Sequence, residues 1–464
     1  MVKYFLKRIL LFIPTLLLIT VLTFFLSRSA PGDPVEDALE LEDIAMTDVE
    51  YELLYRQTAE NMGLDKPLFY FQLSAAAFPD TLYKIIPQTH RHTLRQLIQQ
   101  YGDWVQIQDY YHAIKDFRYR FNLLPDSIIS TQKSIVNPAL KKLLLNAENQ
   151  VIEYQLAQIE NNTPTDLVQH YERLTAAYNR IKKNATIYKN RIPSFRWHGT
   201  NNQYHHWLAN VIKGDLGASK VDGRPVGSKI MDALRWTLLI NGIAIFLVYI
   251  IAIPLGVGTA VRKGTKLDKF TSLTMFMLHS LPNFWIAILL IVFFTNPQFG
   301  MDWFPAMGLG DIPVDASFWT MVRIRAAHLI LPIFCIVYPA LAFVLRQMRG
   351  AMAKVLDEDY IRTARAKGVS QKDIVWKHAF RNSLFPIITL FASLLPATIS
   401  GSVVIEQIFG IPGMGKLMIE SIIQHDWSVV FGILILASIL TMLGILIADM
   451  LYAMADPRIK LGKE

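Results

Sequence analysis

The sequence predicts an all-α polytopic membrane protein that carries a helical domain between its first two membrane spans. Of the 464 residues, 52% are hydrophobic although 18% are charged, and the mean hydropathy is +0.28. The apolar residues are gathered in blocks of the length that crosses a bilayer, about 20 residues per helix. The Lys and Arg residues fall mainly in alternate connecting segments. These observations predict six transmembrane helices with both termini in the cytoplasm.

Six segments have the length and composition of transmembrane helices. They cover about residues 9–27, 237–261, 270–295, 327–346, 383–404 and 428–454. The basic start and first apolar run also fit a cleaved signal peptide. However, the run is long for one and no A-x-A cleavage site follows it. We therefore expect residues 1–27 to form an anchored N-terminal segment with the first span, and residues 237–464 to form the rest of the transmembrane core.

The distribution of basic residues predicts the orientation of the chain. The segments before span one, between spans two and three, between spans four and five, and after span six hold 19 basic and seven acidic residues. The intervening short loops hold only Arg323, Arg325 and Lys416. By the positive-inside rule, both termini and residues 346–382 lie in the cytoplasm. The net charge of +8 is therefore a topology signal, and no nucleic-acid partner is expected.

A long segment, residues 28–236, separates the first two spans and is expected outside the cytoplasm. It carries 24 basic and 24 acidic residues, so it has no charge that opposes export. Within it, about residues 80–200 repeat apolar residues every three or four positions, which predicts a small helical domain. Paired histidines occur there without cysteine or acidic partners at ligand spacing, so no metal site is expected. They are His90, His92, His205 and His206.

One short motif resembles a phosphate-binding loop. The segment "GIPGMGKL" (Gly410–Leu417) fits G-x-x-x-x-G-K. A phosphate-binding loop needs Ser or Thr after the lysine to hold magnesium, and it lies between a strand and a helix. Here Leu417 follows the lysine, and the motif comes after a membrane span on the outer side. The glycines are better explained by a tight re-entrant turn.

A second motif offers an enzymatic alternative. The segment "GLGD" (Gly308–Asp311) fits the G-x-G-D of intramembrane aspartyl proteases. That chemistry needs two facing carboxylates, and the acid well inside a span is Asp449, near the cytoplasmic end of span six. Structural pairing of Asp449 with a basic residue of a neighbouring span is the favoured interpretation. No catalytic residue is assigned.

The polar stretch between spans four and five reads as two short helices with a glycine corner. Three acidic residues, Asp357–Asp359, stand where a helix N-terminus favours negative charge. Gly368 can close this first helix in a left-handed conformation. Ser370 and Asp373 form a capping box that opens the second helix, "QKDIVWKHAFRN". Pro386 then falls in the first turns of span five, and the whole element suits insertion into a groove on a partner.

Several ordered motifs resemble the membrane (permease) subunit of ABC importers of the dipeptide/oligopeptide class. The start, "RILLFIPTLLLITVLTFFLSRSAPGDP", is similar to that family's first span, and the later motifs follow in the family's order. They are "MGLDKPLFYFQL", "WLANVIKGDLGASKVDGRPV", "DYIRTARAKGVSQKDIVWKHAFRNSLFP", "SGSVVIEQIFGIPGMGKL" and "LYAMADPRI". We recognise no counterpart for residues of about 80–200, which therefore read as a large extracytoplasmic insert. The resemblance implies a multi-pass protein of the inner (cytoplasmic) membrane.

The resemblance also implies which residues contact partners. The polar stretch would be the coupling region that seats on an ATPase subunit, although Arg362-Thr363-Ala364 stands where the broader importer pattern has Glu-Ala-Ala. The implied ATPase-coupling residues are Tyr360, Arg362, Thr363, Ala364, Arg365, Ala366, Lys367 and Gly368. The implied outer turn or gate residues are Glu406, Phe409, Pro412 and Gly413.

The resemblance predicts an assembly and a cargo. The expected partners are a homologous second permease subunit, two ATP-binding subunits, an extracytoplasmic substrate-binding protein and the lipid bilayer. ATP and magnesium would bind the ATPase subunits, and no cofactor or metal is expected in this chain. Peptides are the expected cargo. Nickel or another non-peptide solute remains an alternative, as does an intramembrane aspartyl protease.

Overall fold

The computed structural model describes residues 2–29, 32–39, 48–85, 87–399 and 401–455. The chain forms two compact units. One comprises Met1–Ala30 together with Gly214–Glu464, and the other comprises Pro31–Lys213.

The first unit contains the apolar helices. Its helices are α1 (Val2–Ser29), α10 (Val226–Val261), α11 (Lys266–Ser280), α12 (Asn283–Phe294), α13 (Phe318–Leu356), α14 (Asp359–Ala366), α15 (Gln371–Asp373), α16 (Phe380–Ile399), α17 (Val403–Ile408), α18 (Met414–Ile423) and α19 (Trp427–Ala455). A π-helical segment, Ile374–Ala379, joins α15 to α16. The predicted helical character of the membrane core is confirmed.

Several of these helices can cross a membrane. Within the described residues, four segments are long and apolar enough, and the α11–α12 pair adds a fifth if it is one span. The four are Arg8–Ser29, Val226–Val261, Phe318–Leu356 and Trp427–Ile447. The predicted fifth span, about 383–404, overlaps α16 but crosses residue 400, which lies outside the described residues. The count of six spans stays a prediction.

The predicted third span, about 270–295, is not a straight helix. The axes of α11 and α12 differ by 93°. The break falls at Leu281 and Pro282, because the proline ring disfavours a helical conformation of the residue before it. Leu281 is indeed extended, and its carbonyl accepts a hydrogen bond of 2.9 Å from the Tyr338 hydroxyl of α13.

Helices α10 and α13 pack closely along the centre of this unit. A Cβ on Gly256 would lie 2.8 Å from Cβ of Met348, so glycine is what allows the two backbones to approach. Val257 and Ala260 of α10 are buried in one cluster with Met348 and Met352 of α13. Large apolar side chains elsewhere on α10, such as Phe246 and Ile250, are exposed, as expected of a surface in contact with lipid.

The second unit is mainly helical. It contains α2 (Pro34–Leu39), α3 (Asp48–Asn61), β1 (Phe71–Ala75), α4 (Gln88–Tyr101), α5 (Trp104–Leu123), α6 (Asp126–Leu145), α7 (Asn149–Glu160), α8 (Val168–Lys183), β2 (Pro193–Trp197) and α9 (Gln203–Ile212). Short 3₁₀ turns occur at Leu82–Lys84, Thr165–Leu167 and Ile187–Arg191. The helical reading of residues of about 80–200 agrees with helices α4 to α8.

Helices α4 to α8 enclose a hydrophobic core of their own. Its largest buried side chains include Tyr110, Phe117, Phe121 and Tyr178. Gly102 ends α4 with φ of 74°. A Cβ there would collide with the carbonyl of Thr186, so this turn requires glycine.

An antiparallel β-ribbon joins the two ends of this helical region. Strand β1 pairs with β2 from Phe71 opposite Trp197 to Ala75 opposite Pro193. The chain therefore leaves the ribbon after Ala75 and returns to the adjacent position at Pro193. Residues 76–192 are inserted between neighbouring points of the backbone.

Candidate functional site

The polar element, defined as residues 359–368, is a short helix with one buried and one exposed face. Ile361 is fully buried and half-buried Ala364 packs beside it, against Met352 and Leu356 of α13. The remaining predicted coupling positions are exposed. They are Tyr360, Arg362, Thr363, Arg365, Ala366, Lys367 and Gly368. The structure thus brings these residues together as one basic surface on the end of α13.

Gly368 closes this helix in the left-handed region. Its φ is 79°, and its N–H donates to the carbonyl of Arg365 at 3.0 Å. The N–H of Val369 donates to the carbonyl of Ala364 at 3.2 Å. The predicted left-handed glycine cap is confirmed.

The second predicted helix begins where expected but does not end where expected. Ser370 Oγ accepts from the Asp373 N–H at 3.2 Å, which confirms the cap. The helix then continues through the π-helical segment into α16. Pro386 consequently lies inside a continuous helix, and the prediction of a separate short helix before span five is wrong. The hydrogen bond from Lys377 holds the pKa of Asp373 below its ordinary value.

Polar contacts attach the polar element and its flanks to neighbouring helices. The Asn382 amide of α16 donates to the Tyr360 hydroxyl at 2.7 Å. Lys263, at the end of α10, lies 3.2 Å from the Asp357 carboxylate. The element is therefore fastened to the ends of three long helices, α10, α13 and α16.

An ion pair between a half-buried arginine and a buried aspartate, which the sequence did not reveal, lies in the same region. Arg349 of α13 donates to both oxygens of Asp268 in α11, at 2.6 and 2.8 Å. The Gly264 N–H donates to the same carboxylate at 2.9 Å. Asp268 is almost fully buried. This bidentate pair connects α11 and the preceding turn to α13 close to the polar element.

The outer turn, residues 401–417, is organised around Glu406. This carboxylate is 2% exposed and accepts from the N–H groups of Gly415 and Lys416 at 2.7 and 3.1 Å. It also accepts from the Thr237 hydroxyl of α10 at 3.0 Å. Thr237 Oγ1 in turn accepts from the Met414 N–H at 2.8 Å. Glu406 therefore satisfies the N-terminus of α18, where a negative charge is favoured.

The other predicted outer-turn residues surround this carboxylate. A Cβ on Gly413 would collide with the Glu406 carboxyl group, so the site requires glycine. Phe409 is buried, and its carbonyl accepts from the Gly308 N–H at 2.8 Å. Pro412 alone of the four is exposed. A gating role for these residues stays a prediction.

This arrangement explains the phosphate-loop-like sequence. In a phosphate-binding loop the backbone N–H groups around the lysine face the nucleotide. Here the N–H groups of Gly415 and Lys416 are occupied by the chain's own Glu406. These two N–H groups are therefore not available to a phosphate.

The structure does not bring together the two carboxylates that a protease would need. Asp311 is exposed in the loop before α13. That loop is held by the Arg325 guanidinium, which donates to the Leu309 carbonyl at 2.6 Å. Asp449 lies near the far end of α19, about 30 Å along the helix from Trp427. The Nε of Arg8 in α1 lies 3.1 Å from its carboxylate, so the expected pairing with a neighbouring span is observed.

A second polar cluster, also missed by the sequence, ties residues 214–225 to the start of α19. The Ser219 hydroxyl donates a short hydrogen bond to buried Asp426. Lys229 Nζ donates to Ser219 Oγ at 2.9 Å and pairs with Asp222 at 3.0 Å. Since Lys229 is neutralised by carboxylates, the cluster acts as a structural clasp. Its members are some 200 residues apart in sequence, so no local pattern could have shown it.

The four paired histidines singled out in the sequence each lie within hydrogen-bonding distance of a neighbouring side chain; they are His90, His92, His205 and His206. His90 contacts the Tyr111 hydroxyl at 3.1 Å and His205 contacts the Tyr70 hydroxyl at 3.1 Å. His206 lies 3.2 Å from Lys66 Nζ. Desolvation, together with the charge of Lys66, lowers the pKa of His206. Among the described residues, no group of three His, Cys, Asp or Glu side chains could hold a metal ion.

Comparison with known proteins identifies the class. Residues 252–461 match the family described as "Binding-protein-dependent transport system inner membrane component". This range contains the polar element, the outer turn and the Arg349–Asp268 pair.

Individual relatives extend the match. The chain is 40% identical over 259 residues to the oligopeptide transport system permease protein AppB of Bacillus subtilis, covering 56% of this chain and 80% of that protein. It is 36% identical over 264 residues to the dipeptide transport system permease protein DppB of the same organism, covering 56% and 80%. It is 33% identical over 258 residues to a probable peptide ABC transporter permease protein, y4tP, of Sinorhizobium fredii, covering 56% and 80%.

The chain belongs to the family of inner-membrane components of binding-protein-dependent transport systems. It is a multi-pass inner-membrane protein of the ABC permease type, and this family is one of transport subunits rather than enzymes.

Proposed function

We propose that this chain is the transmembrane permease subunit of an ATP-driven importer that moves peptides into the cytoplasm by alternating access. The relatives named as oligopeptide and dipeptide permeases support the cargo class. Nickel or another non-peptide solute would use the same assembly, but no observation on this chain favours it.

The observation that carries this proposal is the exposed basic surface of the polar element. A helix of eight residues with Arg362 and Arg365 exposed and Ile361 buried, followed directly by exposed Lys367, has the form of a docking element. It is short, its exposed face is polar, and its buried face packs against α13. Such a helix can enter a groove on an ATP-binding subunit and pass on the motion of that subunit.

A continuous path of contacts leads from this element to the outer turn. The polar element rests on α13, and α13 is in close contact with α10 at Gly256. Helix α10 then runs back to Thr237, which bonds the Glu406 carboxylate. The distance along α10 is about 30 Å. When the ATP-binding subunits close, displacement of the polar element would move α10 and α13 as a body and so move the outer turn.

The assembly follows from the same proposal. Two ATP-binding subunits carry ATP and magnesium, and this chain carries no cofactor. A homologous second permease completes the pore, and an extracytoplasmic binding protein delivers the cargo. Six spans place both termini and residues 346–382 in the cytoplasm. They place residues 28–236, with the insert of about 80–200, outside.

Reconstitution tests the proposal. The full chain is co-expressed with the ATP-binding subunits, the second permease and the binding protein of its organism, purified through a tag on this chain and placed in proteoliposomes. The expected result is co-purification of ATP-binding subunits and uptake of short peptides that requires ATP and the binding protein. Uptake of nickel but not of peptides would overturn the proposal that peptides are the cargo. Failure of any ATP-binding subunit to co-purify, with no ATP-dependent uptake, would overturn the permease role.

A further inference from the structure

The β1–β2 ribbon exposes a row of large apolar side chains to solvent. On one face, Phe71 is opposite Trp197 and Leu73 is opposite Phe195. Their exposed fractions are 38% for Phe71, 66% for Trp197, 73% for Leu73 and 62% for Phe195. We refer to these four residues as the apolar ribbon face. Contiguous exposed apolar side chains of this size mark interaction surfaces on folded domains.

The side chains on this face are already ordered against one another. The rings of Phe71 and Phe195 are stacked with centroids 5.7 Å apart. Tyr70 and Trp197 are stacked at 6.4 Å. The intervening pairs, Gln72–Arg196 and Ser74–Ser194, lie on the opposite face of the ribbon. On that face the Arg196 guanidinium donates a hydrogen bond to the Phe78 carbonyl. The face is therefore a preformed surface on a strand pair.

The flank of the ribbon is basic and also apolar. The turn Ile187–Arg191 leads directly into β2, and the Ala76 N–H at the end of β1 donates to the Ile192 carbonyl at 2.8 Å. Ile187 and Tyr188 are more than half exposed, and Lys189 and Arg191 stand beside them in sequence. From Arg173 to Gly214 the chain contains eight Lys or Arg residues and no Asp or Glu.

We propose that the apolar ribbon face, with Lys189 and Arg191, binds the surface of an anionic lipid bilayer. Trp and Tyr are enriched at the level of lipid headgroups because their rings combine an apolar body with a polar N–H or O–H group, and Phe and Leu side chains of interfacial segments are buried at the boundary between headgroups and acyl chains. Lys and Arg pair with lipid phosphates, each contributing about 1 kcal/mol near an anionic surface. Both ends of this unit continue into helices long enough to cross a membrane, α1 and α10. The unit would thus be tethered at its ends and anchored at its ribbon.

Charge favours a lipid surface over a protein partner. A stretch of 42 residues with no acidic side chain offers no carboxylate to pair with basic groups of a protein partner. Within this stretch Lys182 is paired with Glu153, whereas Lys189 and Arg191 next to β2 are matched by a phosphate-rich surface. The proposal goes beyond peptide import and does not depend on the cargo.

Site-directed spin labelling of the full-length chain in lipid nanodiscs tests this proposal. Cys335 is the single cysteine and is buried, so labels are placed in a Cys335→Ala background. Phe195→Cys and Leu73→Cys report on the ribbon from two strands. Tyr119→Cys, on α5 of the same unit, is the matched control because Tyr119 is 65% exposed. All three positions are exposed, so none of these substitutions opens a cavity in the core.

The measured quantity is the accessibility of each label to oxygen, which partitions into lipid, and to a water-soluble nickel chelate. We expect oxygen to be favoured at positions 73 and 195, and the chelate at position 119, in nanodiscs containing phosphatidylglycerol. Chelate access at 195 equal to that at 119 would overturn the proposal. Exclusion of both reagents at 195 would also overturn it, since a protein then covers the face.

A charge variant separates electrostatic anchoring from apolar contact. The double variant Lys189→Gln/Arg191→Gln carries the label at position 195. It should lower the ratio of membrane-bound to water-exposed label about fivefold for each charge lost. Lys141→Gln with Lys142→Gln removes two exposed charges from α6 and should leave the ratio unchanged. Equal effects of the two double variants would contradict the lipid-phosphate contact.

Discussion

Gly368 occupies a backbone conformation that other residues adopt only with strain. Its φ is 79°, and a Cβ there would meet no atom within 4 Å. Gly368→Val should therefore fold and insert, but the turn after α14 should move. Left-handed backbone costs about 1–2 kcal/mol for a residue with a Cβ, and a β-branched residue is especially disfavoured there. We expect ATP hydrolysis to continue while uptake falls, measured in the same proteoliposomes.

A matched glycine controls for the general effect of this substitution. Gly223 has φ of 66°, and a Cβ there would also meet nothing within 4 Å, but it lies between Lys213 and α10. Gly223→Val should leave the ratio of uptake to hydrolysis unchanged. If Gly368→Val kept the parent ratio of uptake to ATP hydrolysis, the polar element would not take part in coupling the two.

Glu406 stabilises the outer turn through three hydrogen bonds, two from buried donors (Thr237 and Gly415) and one from the half-buried Lys416 N–H. Glu406→Ala leaves these donors without a partner, which should lower the free energy of unfolding by about 3 kcal/mol. Glu406→Gln keeps an acceptor for the backbone N–H groups and should lower it less. Thermal unfolding in detergent measures both.

An exposed glutamate near the same helix provides the control. Glu420 lies 3.6 Å from Lys416 and is exposed, and an exposed pair contributes about 1 kcal/mol at most. The melting temperature of Glu420→Ala should be close to that of the parent protein. A melting temperature of Glu406→Ala equal to that of Glu420→Ala would contradict the anchoring role.

At the residue scale, local patterns in the sequence predicted the caps and not the long-range partners. Ser370 and Gly368 act on residues within five positions, so their roles follow from local sequence. The partner of Glu406, Thr237, is 169 residues away, and the Arg349–Asp268 pair spans 81 residues. No spacing rule connects such positions.

At the element scale, the Arg349–Asp268 pair fixes the start of α11 against α13. Arg349→Met leaves the buried Asp268 carboxylate without its counter-charge. Because Arg349 is one-third exposed, we expect a loss of only about 2 kcal/mol. Arg349→Lys retains the charge but not the bidentate geometry and should be intermediate. The expected result is faster tryptic cleavage at Arg262 and Lys263 in the turn before α11.

Lys354→Gln is the control for this prediction, since Lys354 is an exposed basic residue of the same helix. It should leave the cleavage rate at Arg262 and Lys263 unchanged. Equal cleavage of the Arg349→Met variant and the parent would show that the pair does not hold α11.

Two elements differ from the sequence prediction for physical reasons. The hydropathy of residues 270–295 is that of one continuous apolar block. Hydropathy carries no information on the bend of 93° at Pro282. The second helix of the polar stretch was expected to end before span five. Residues 374–379 contain no glycine or proline to end it, so the helix passes into α16.

At the scale of the whole molecule, the insertion point of residues 76–192 makes a deletion possible. Since 259 residues are 80% of AppB, that relative has roughly 320 residues against 464 here. The ends of the insert, Ala75 and Pro193, are opposite each other in the ribbon. A chain with residues 76–192 replaced by a two-residue Asn-Gly turn should still insert and co-purify with ATP-binding subunits.

The effect of this deletion is measured by the amount of chain integrated into the membrane and by the amount of ATP-binding subunit that co-purifies with it. The control variant replaces residues 31–213 entirely by a short linker, which also removes the segments that resemble the family. Loss of ATP-binding subunits from the 76–192 deletion would show that the insert is part of the coupling machinery.

The proposed mechanism requires the polar element to contact an ATP-binding subunit. A photoreactive amino acid placed at Arg365 or Lys367, both exposed, tests it in membranes of cells that express the whole transporter. Trp319, exposed at the opposite end of α13, is the control position. We expect a cross-linked ATP-binding subunit at positions 365 and 367 and none at position 319. Absence of that product at 365 and 367, or equal yield at 319, would contradict it.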